Sequence, residues 1–241
     1  MSQSSVINLP ESIGKTDNFE FYSCSHGREI LNSENFSPDI MNYLEGESKT
    51  IQEVIINYLE DYHAMLEVGC GHARNVGVSL RLGLKYYGID FIENEIVTAR
   101  RKLKEKKLSG HVKCLSVLDL NKATTPVPAS LKTVCIFPFN VFGNIFEPVR
   151  ILKIMHDLNY TMLISTYRQD ADKDAVLSYY KACGLNHVKA MTVENGTMFV
   201  TKEGFRSIVY HSDYLYDIAS QLGLVVDSFE FSKIGKLYYI R

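Results

Sequence analysis

No apolar run in this chain of 241 residues approaches the ~20 residues that a membrane-spanning helix needs. The opening MSQSSVINLPES lacks the basic-then-apolar order of a secretory signal. Both absences lead to the expectation of a soluble, cytoplasmic protein with no membrane partner. An excess of one charge is missing too: the formal net charge is −2, with acids and bases interspersed, so nucleic acid is not an evident partner. The five cysteines, Cys24, Cys70, Cys114, Cys135 and Cys183, show no C-x-x-C spacing and lie partly in apolar runs, which reads as reduced, buried thiols. No cluster of histidines and acids has metal-ligand character, which argues against metal-assisted chemistry. Internal repeats and low-complexity segments are absent.

What is present is a chain 46% hydrophobic, enough to bury a sizeable core, with a length suited to one α/β domain carrying an elaboration. Residues 1–18 are polar and aperiodic and read as a flexible tail. The segment 19–60 holds the aromatic cluster Phe19, Phe21 and Tyr22 and then apolar residues at helical spacing; with a break at Glu45-Gly46-Glu47, these predict two amphipathic helices in a lid segment. Residues 61–241 form the main domain. Apolar runs beginning at Ala64, Leu84, His111, Thr133 and Tyr160 alternate with helical segments, which implies a parallel sheet covered on both faces. An insertion at about 168–211 breaks this alternation. There a helix precedes two β-rich runs around Asn195-Gly196, whose tolerance of positive φ predicts a type I′ hairpin turn. A second turn at Glu203-Gly204 extends it to a meander, and a last helix and antiparallel strands close one sheet edge.

The chemistry is concentrated in MLEVGCGHARNV (residues 65–76), where a strand ends in Glu67, Gly69 and Gly71 before a helix begins. Glycines at such a turn let a ligand approach the backbone, and the helix N-terminus offers free N–H groups. A nicotinamide-binding turn would carry a third glycine where Arg74 stands, and arginine there would crowd close helix–strand packing. The dehydrogenase reading falls accordingly. The next strand ends at Gly88-Ile89-Asp90, nineteen residues after Gly71, where a carboxylate can accept both hydroxyls of a ribose.

With these residues the chain resembles the class I S-adenosylmethionine-dependent methyltransferases, whose first motif is an acid, a spacer and G-x-G-x-G; Ala73 stands here for the third glycine. The resemblance covers about 64–167 well and the flanks by layout. It implies a Rossmann-like three-layer sandwich: a mostly parallel central sheet with an antiparallel edge strand, plus N-terminal helices and the β-rich insertion as a lid. It also implies S-adenosylmethionine as cofactor and S-adenosylhomocysteine as product. The turn Glu67, Gly69, Cys70 and Gly71 would surround the methionine part, with Glu67 near its amino group. Asp90 would take the ribose, Phe91 the adenine face, and Val117, Leu118 and Asp119 the adenine edge. Phe137 and Asn140, in FPFNVFGN, would stand between cofactor methyl and substrate, although Asn140 equally suits a turn cap. Tyr22 would fold over the cofactor carboxylate, and His26 and His211 are the candidate catalytic residues on the acceptor side, with packing as the competing role.

The function implied is methyl transfer to an amine nitrogen or a carboxylate or hydroxyl oxygen of a small molecule by in-line displacement, in which the protein mainly aligns the acceptor and excludes water. A methyltransferase acting on RNA or protein and a non-catalytic cofactor-binding subunit are the alternatives. The sequence leaves the acceptor, and the choice between monomer and homodimer, open.

Overall fold

A computed structural model describes Asn18, Phe21, Tyr22 and residues 29–241. His26, Cys24 and most of the expected 1–18 tail lie outside these described residues.

The first long helix, α1 (Pro38–Tyr58), starts where Ser37 caps it by accepting the Ile40 N–H at 3.3 Å, with Pro38 pre-set for the first turn. Ile40, Tyr43, Ile51, Val54 and Ile55 form its buried stripe. It is one continuous helix, not the two expected. Gly46 is required where α1 meets a distant loop: a Cβ there would lie 2.5 Å from the Phe231 carbonyl oxygen. Glu47 is fully buried against Arg74 and the Phe139 backbone. The residues read as a break are therefore tertiary contacts inside the helix.

The main domain supplies β1 (Ala64–Val68), β2 (Lys85–Asp90), β3 (His111–Cys114), β4 (Thr133–Phe137) and β5 (Thr161–Tyr167), with α2 (Val76–Arg81) after β1, α3 (Glu93–Glu105) after β2 and α4 (Pro148–Asp157) before β5. Every residue of β1, β4 and β5 is buried, as strands covered on both faces require. After α5 (Lys173–Ala182) come β6 (Lys189–Val193), β7 (Gly196–Val200) and β8 (Arg206–Tyr210), and then α6 (Ser212–Gln221), β9 (Val226–Glu230) and β10 (Gly235–Ile240).

The large sheet has the order β3-β2-β1-β4-β5-β10-β9. Pairings among β1 to β5 are parallel, while β10 runs antiparallel to both β5 and β9. One face packs on α1, α2 and α3 through Val54, Val76, Ile96 and Leu103. The other packs on α4 and α6 through Ile151, Met155, Leu215 and Ile218. Each such fully buried aliphatic side chain contributes roughly 1.5–3 kcal/mol. The layers are those of a Rossmann-like sandwich. Strand order reverses between β1 and β4, and the crevice beyond their carboxyl ends is the place where such a sheet binds ligands.

Residues 168–211 hold α5 and a separate antiparallel sheet, β6-β7-β8. Val193 pairs with Gly196, so the two-residue loop is Glu194-Asn195, one position earlier than expected, and neither residue has positive φ. The turn is therefore not type I′. Gly196 sits in the strand because a Cβ there would lie 2.3 Å from the Val209 carbonyl oxygen. A third apolar cluster joins this sheet and α5 to the start of α1 and to Phe21 and Ile30. Among the described residues no helix is long and apolar enough to cross a membrane.

Candidate functional site

At the crevice between β1 and β4 the chain turns three times through left-handed conformations, at Gly69 (φ +64), Gly71 (φ +45) and Ala73 (φ +54). The third position of the glycine pattern thus has the glycine-like backbone even though alanine occupies it. The turn is fastened to β2: Cys70 N–H donates to the Ile89 carbonyl at 3.0 Å, and Gly71 N–H donates to Asp90 Oδ2 at 2.9 Å. Ile92 N–H donates to the other oxygen, Oδ1, at 2.9 Å. Two backbone donors thus fix the Asp90 carboxylate at the tip of β2, and burial still pushes its acid above the ordinary range. Each oxygen keeps a lone pair for a further donor.

Glu67 lies beneath the same turn. It accepts from Asn75 Nδ2 at 2.7 Å, Asn75 N–H at 3.3 Å and the Tyr86 hydroxyl at 2.5 Å. Burial raises its pKa, opposed by these donors and by the Arg74 charge. Glu67 is therefore a brace as much as a ligand group, locking the end of β1 to the loop entering α2.

These groups face a cavity of about 570 Å3, large enough for a drug-sized ligand. Of the residues singled out by sequence, Tyr22, Glu67, Gly69, Cys70, Gly71, Asp90, Phe91, Val117, Leu118 and Asp119 all line it. Tyr22 meets Phe91 edge-on at 6.4 Å between ring centroids, and its hydroxyl accepts from Asn144 Nδ2 at 3.0 Å. Enclosure pushes its phenol well above the ordinary range, so it stays protonated.

Phe137 and Asn140 are not in the lining. Phe137 is fully buried in the core against Phe142. Asn140 takes a left-handed conformation after β4, and its amide is used up by the scaffold: Nδ2 donates to Ser207 Oγ at 2.8 Å, and Oδ1 accepts from Thr166 Oγ1 at 2.6 Å. Its backbone makes the turn, but its side chain caps none of it and instead ties the turn to β5 and β8. His211 sits at the cap of α6, its N–H donating to the Asn195 carbonyl at 2.8 Å, and does not line the cavity. Residues 168–211 contribute no lining; they back the N-terminal segment, as where Tyr179 donates to the Ile30 carbonyl and Phe205 packs on Phe21 at 5.0 Å.

Four lining residues carry roles that sequence reading missed. Arg74 pairs with Glu47 of α1. Glu95 meets His72 Nε2 at 2.7 Å at the rim. Lys102 donates to the carbonyls of His72 at 2.8 Å and Ala73 at 3.2 Å. Asn144 faces the cavity from the turn after β4. Only Arg74 had a local signal, as a cation inside the glycine turn. Cys70, Cys135 and Cys183 are buried and Cys114 half-buried, all as free thiols.

No family model and no curated protein matches the sequence. Solved structures do match the fold. The 1,6-didemethyltoxoflavin-N1-methyltransferase of Burkholderia thailandensis, solved with 1,6-didemethyltoxoflavin and S-adenosylhomocysteine, is 10% identical over 100% of this chain and 96% of that one, with a TM-score of 0.62. The magnesium protoporphyrin IX methyltransferase of Synechocystis PCC 6803, with bound S-adenosylmethionine, is 11% identical over 97% and 99%, with a TM-score of 0.59. An S-adenosylmethionine-dependent methyltransferase of Aquifex aeolicus is 17% identical over 90% and 98%, with a TM-score of 0.56. The described residues thus have the Rossmann-like fold of the class I methyltransferases.

Proposed function

We propose that this protein binds S-adenosylmethionine in the β1–β4 crevice and transfers its methyl group to a small molecule. The observation that carries this reading is Asp90, held by Gly71 and Ile92 N–H at the floor of the cavity. A carboxylate so fixed suits a vicinal diol. Glu67 adds negative charge beneath a ligand carrying a cation, Phe91 offers a ring face, and the stretch Val117 to Asp119 suits a purine edge. Tyr22 covers the cavity from the N-terminal side. The donor set therefore fits the cofactor. Bound there, the cofactor supplies an activated methyl carbon; the chain's own part is to orient the acceptor toward it and to exclude water.

The small-molecule acceptor is supported by a cavity lined on one side by Asn18, Tyr22, Ile30 and Leu31, by the balanced charge of the chain, and by the small molecules named for the porphyrin and toxoflavin neighbours. Buried free thiols at Cys70 and Cys135 support a reducing, cytoplasmic setting.

The test is calorimetric titration with S-adenosylmethionine and S-adenosylhomocysteine beside an Asp90→Ala variant. Both ligands are expected to bind, and the variant to bind roughly 10- to 100-fold more weakly, as loss of a charged hydrogen-bond acceptor costs about 1.5–3 kcal/mol. Folded wild-type protein that binds neither ligand overturns the proposal.

A further inference from the structure

Arg74 follows the glycine turn, and its guanidinium stands where two elements of the cavity wall meet. Its Nη2 donates to Glu47 Oε2 of α1, and the other oxygen of that carboxylate accepts the Phe139 N–H at 2.6 Å. Leu44, three residues before Glu47 and so on the same face of α1, lines the cavity together with Phe139 and Arg74. The Arg74 side chain keeps 35% exposure, while Glu47 has none. Burial is nonetheless the largest influence on the guanidinium and works against its charge; Glu47 and then Glu67 more than offset it, so its pKa lies above the ordinary value. An accessible cation enclosed in this way opens onto the cavity. A guanidinium carries five N–H donors in a planar fork, and among the described residues Glu47 alone takes one. No other group of the lining offers such a fork. Glu67, Asp90 and Asp119 are carboxylates, His72 is held by Glu95 at 2.7 Å, and Lys102 donates to the carbonyls of His72 and Ala73.

We propose that Arg74 is a carboxylate-binding residue of the cavity: its free N–H groups hold a ligand carboxylate while Glu47 fixes the guanidinium from behind. Two sources present that chemistry, and for the first the inference rests on the function proposed above. One is the carboxylate at the methionine end of the cofactor. Glu67, whose charge reaches Arg74, then matches the ammonium beside it, and the two residues together suit a zwitterion. The other is a carboxylate on an apolar acceptor that lies against Phe36, Leu44 and Phe139. In either case a guanidinium can give two parallel N–H···O bonds, which fix direction as well as charge. A lysine there would act only as a point charge.

The test uses two ligand pairs that differ in the carboxylate. S-adenosylhomocysteine is titrated beside its decarboxylated analogue, 5′-deoxy-5′-(3-aminopropylthio)adenosine. Quinoline-3-carboxylate is titrated beside quinoline-3-carboxamide into protein saturated with S-adenosylhomocysteine. The carboxylate-bearing nucleoside is expected to bind about tenfold tighter or more, the scale of a charged hydrogen bond. Glu47→Gln alone should keep that preference. The double variant Arg74→Met/Glu47→Gln, which leaves no unpaired buried charge, should bring it close to one. Arg74→Gln/Glu47→Gln, in which two amides can still bridge the turn to α1, serves the same purpose should the methionine variant not fold. A preference lost with Arg74 in the nucleoside pair assigns the carboxylate to the cofactor; one lost only in the quinoline pair assigns it to the acceptor. No preference in either pair, or a preference that survives in a folded double variant, overturns the inference. Wild-type protein that binds neither nucleoside sinks the cofactor reading instead, and the quinoline pair, titrated without nucleoside, then decides the inference alone.

Discussion

Glu47 Oε1 accepts the backbone N–H of Phe139 at 2.6 Å, while Oε2 meets Arg74. One carboxylate in the middle of α1 thereby holds both the glycine turn after β1 and the turn after β4. The second turn needs holding, because Phe139 (φ +47) and Asn140 (φ +57) are consecutive left-handed residues, a conformation costing roughly 1–2 kcal/mol per non-glycine residue.

Glu47→Ala should therefore lower stability by about 3 kcal/mol, the low end for breaking a buried ion pair, since the Arg74 side chain retains 35% exposure. Glu47→Gln should recover part of that, because its amide oxygen can still accept from Phe139. Urea denaturation of the variants measures both; equal losses would show that the Phe139 contact contributes nothing.

Ala73 is fully buried at φ +54. Ala73→Gly should be neutral or stabilising by up to about 1 kcal/mol, through relief of the left-handed strain. Ala73→Val should cost about 1–3 kcal/mol from overpacking. Thermal unfolding of the two variants gives the order, and a glycine variant less stable than the valine one would contradict the backbone argument.

How much of this was legible in sequence follows from range. The cradle was readable because its parts are local: an apolar run, two glycines and an acid nineteen residues on. Gly46 and Glu47 looked like a helix break because Phe231, Arg74 and Phe139 are remote in sequence. Asn195-Gly196 looked like a hairpin turn because local turn preference is visible, whereas the close approach of Gly196 to the Val209 carbonyl is not. Asn140 carried a turn signal that its left-handed backbone answers, and Asn144 carried none, since its place in the lining is set by Asn18 and Tyr22, remote in sequence.

Gly143 abuts the small sheet: a Cβ there would fall 2.0 Å from the Ile208 carbonyl oxygen. Gly143→Ala should cost about 1–3 kcal/mol and make residues 168–211 more sensitive to limited proteolysis. Gly77→Ala in α2, where the added atom meets Arg81 at 3.5 Å, should instead gain roughly 0.5–1 kcal/mol. Unchanged proteolysis in the Gly143 variant would separate this contact from the seating of the sheet.

Asp90 gives the pH dependence. Burial raises its folded pKa above the ordinary 3.8, so its protonated form favours the folded state, and that contribution fades as pH rises through the folded value. Ligand binding runs the other way, because a diol and a cation need the ionised carboxylate. S-adenosylhomocysteine affinity should rise with pH through the window above 3.8, and Asp90→Asn should flatten the profile. A wild-type affinity constant from about pH 4 to about pH 7 would contradict this.

The third apolar cluster is drawn from Phe21, Ile30 and Tyr43 at one end of the chain and from Tyr180, Phe205, Val209 and Ile234 toward the other. The part within residues 176–209 is local, but its contacts with Phe21, Ile30 and Tyr43 are distant in sequence, and such contacts are closed slowly. The roof of the cavity should accordingly consolidate after the large sheet during folding, and in the native state it should exchange its amide hydrogens as a single cooperative unit, ahead of β1, β4 and β5. Under the proposed function, access to the cavity from that side then becomes a matter of how often that unit opens, while Glu67 and Asp90, built on the sheet, stay in place.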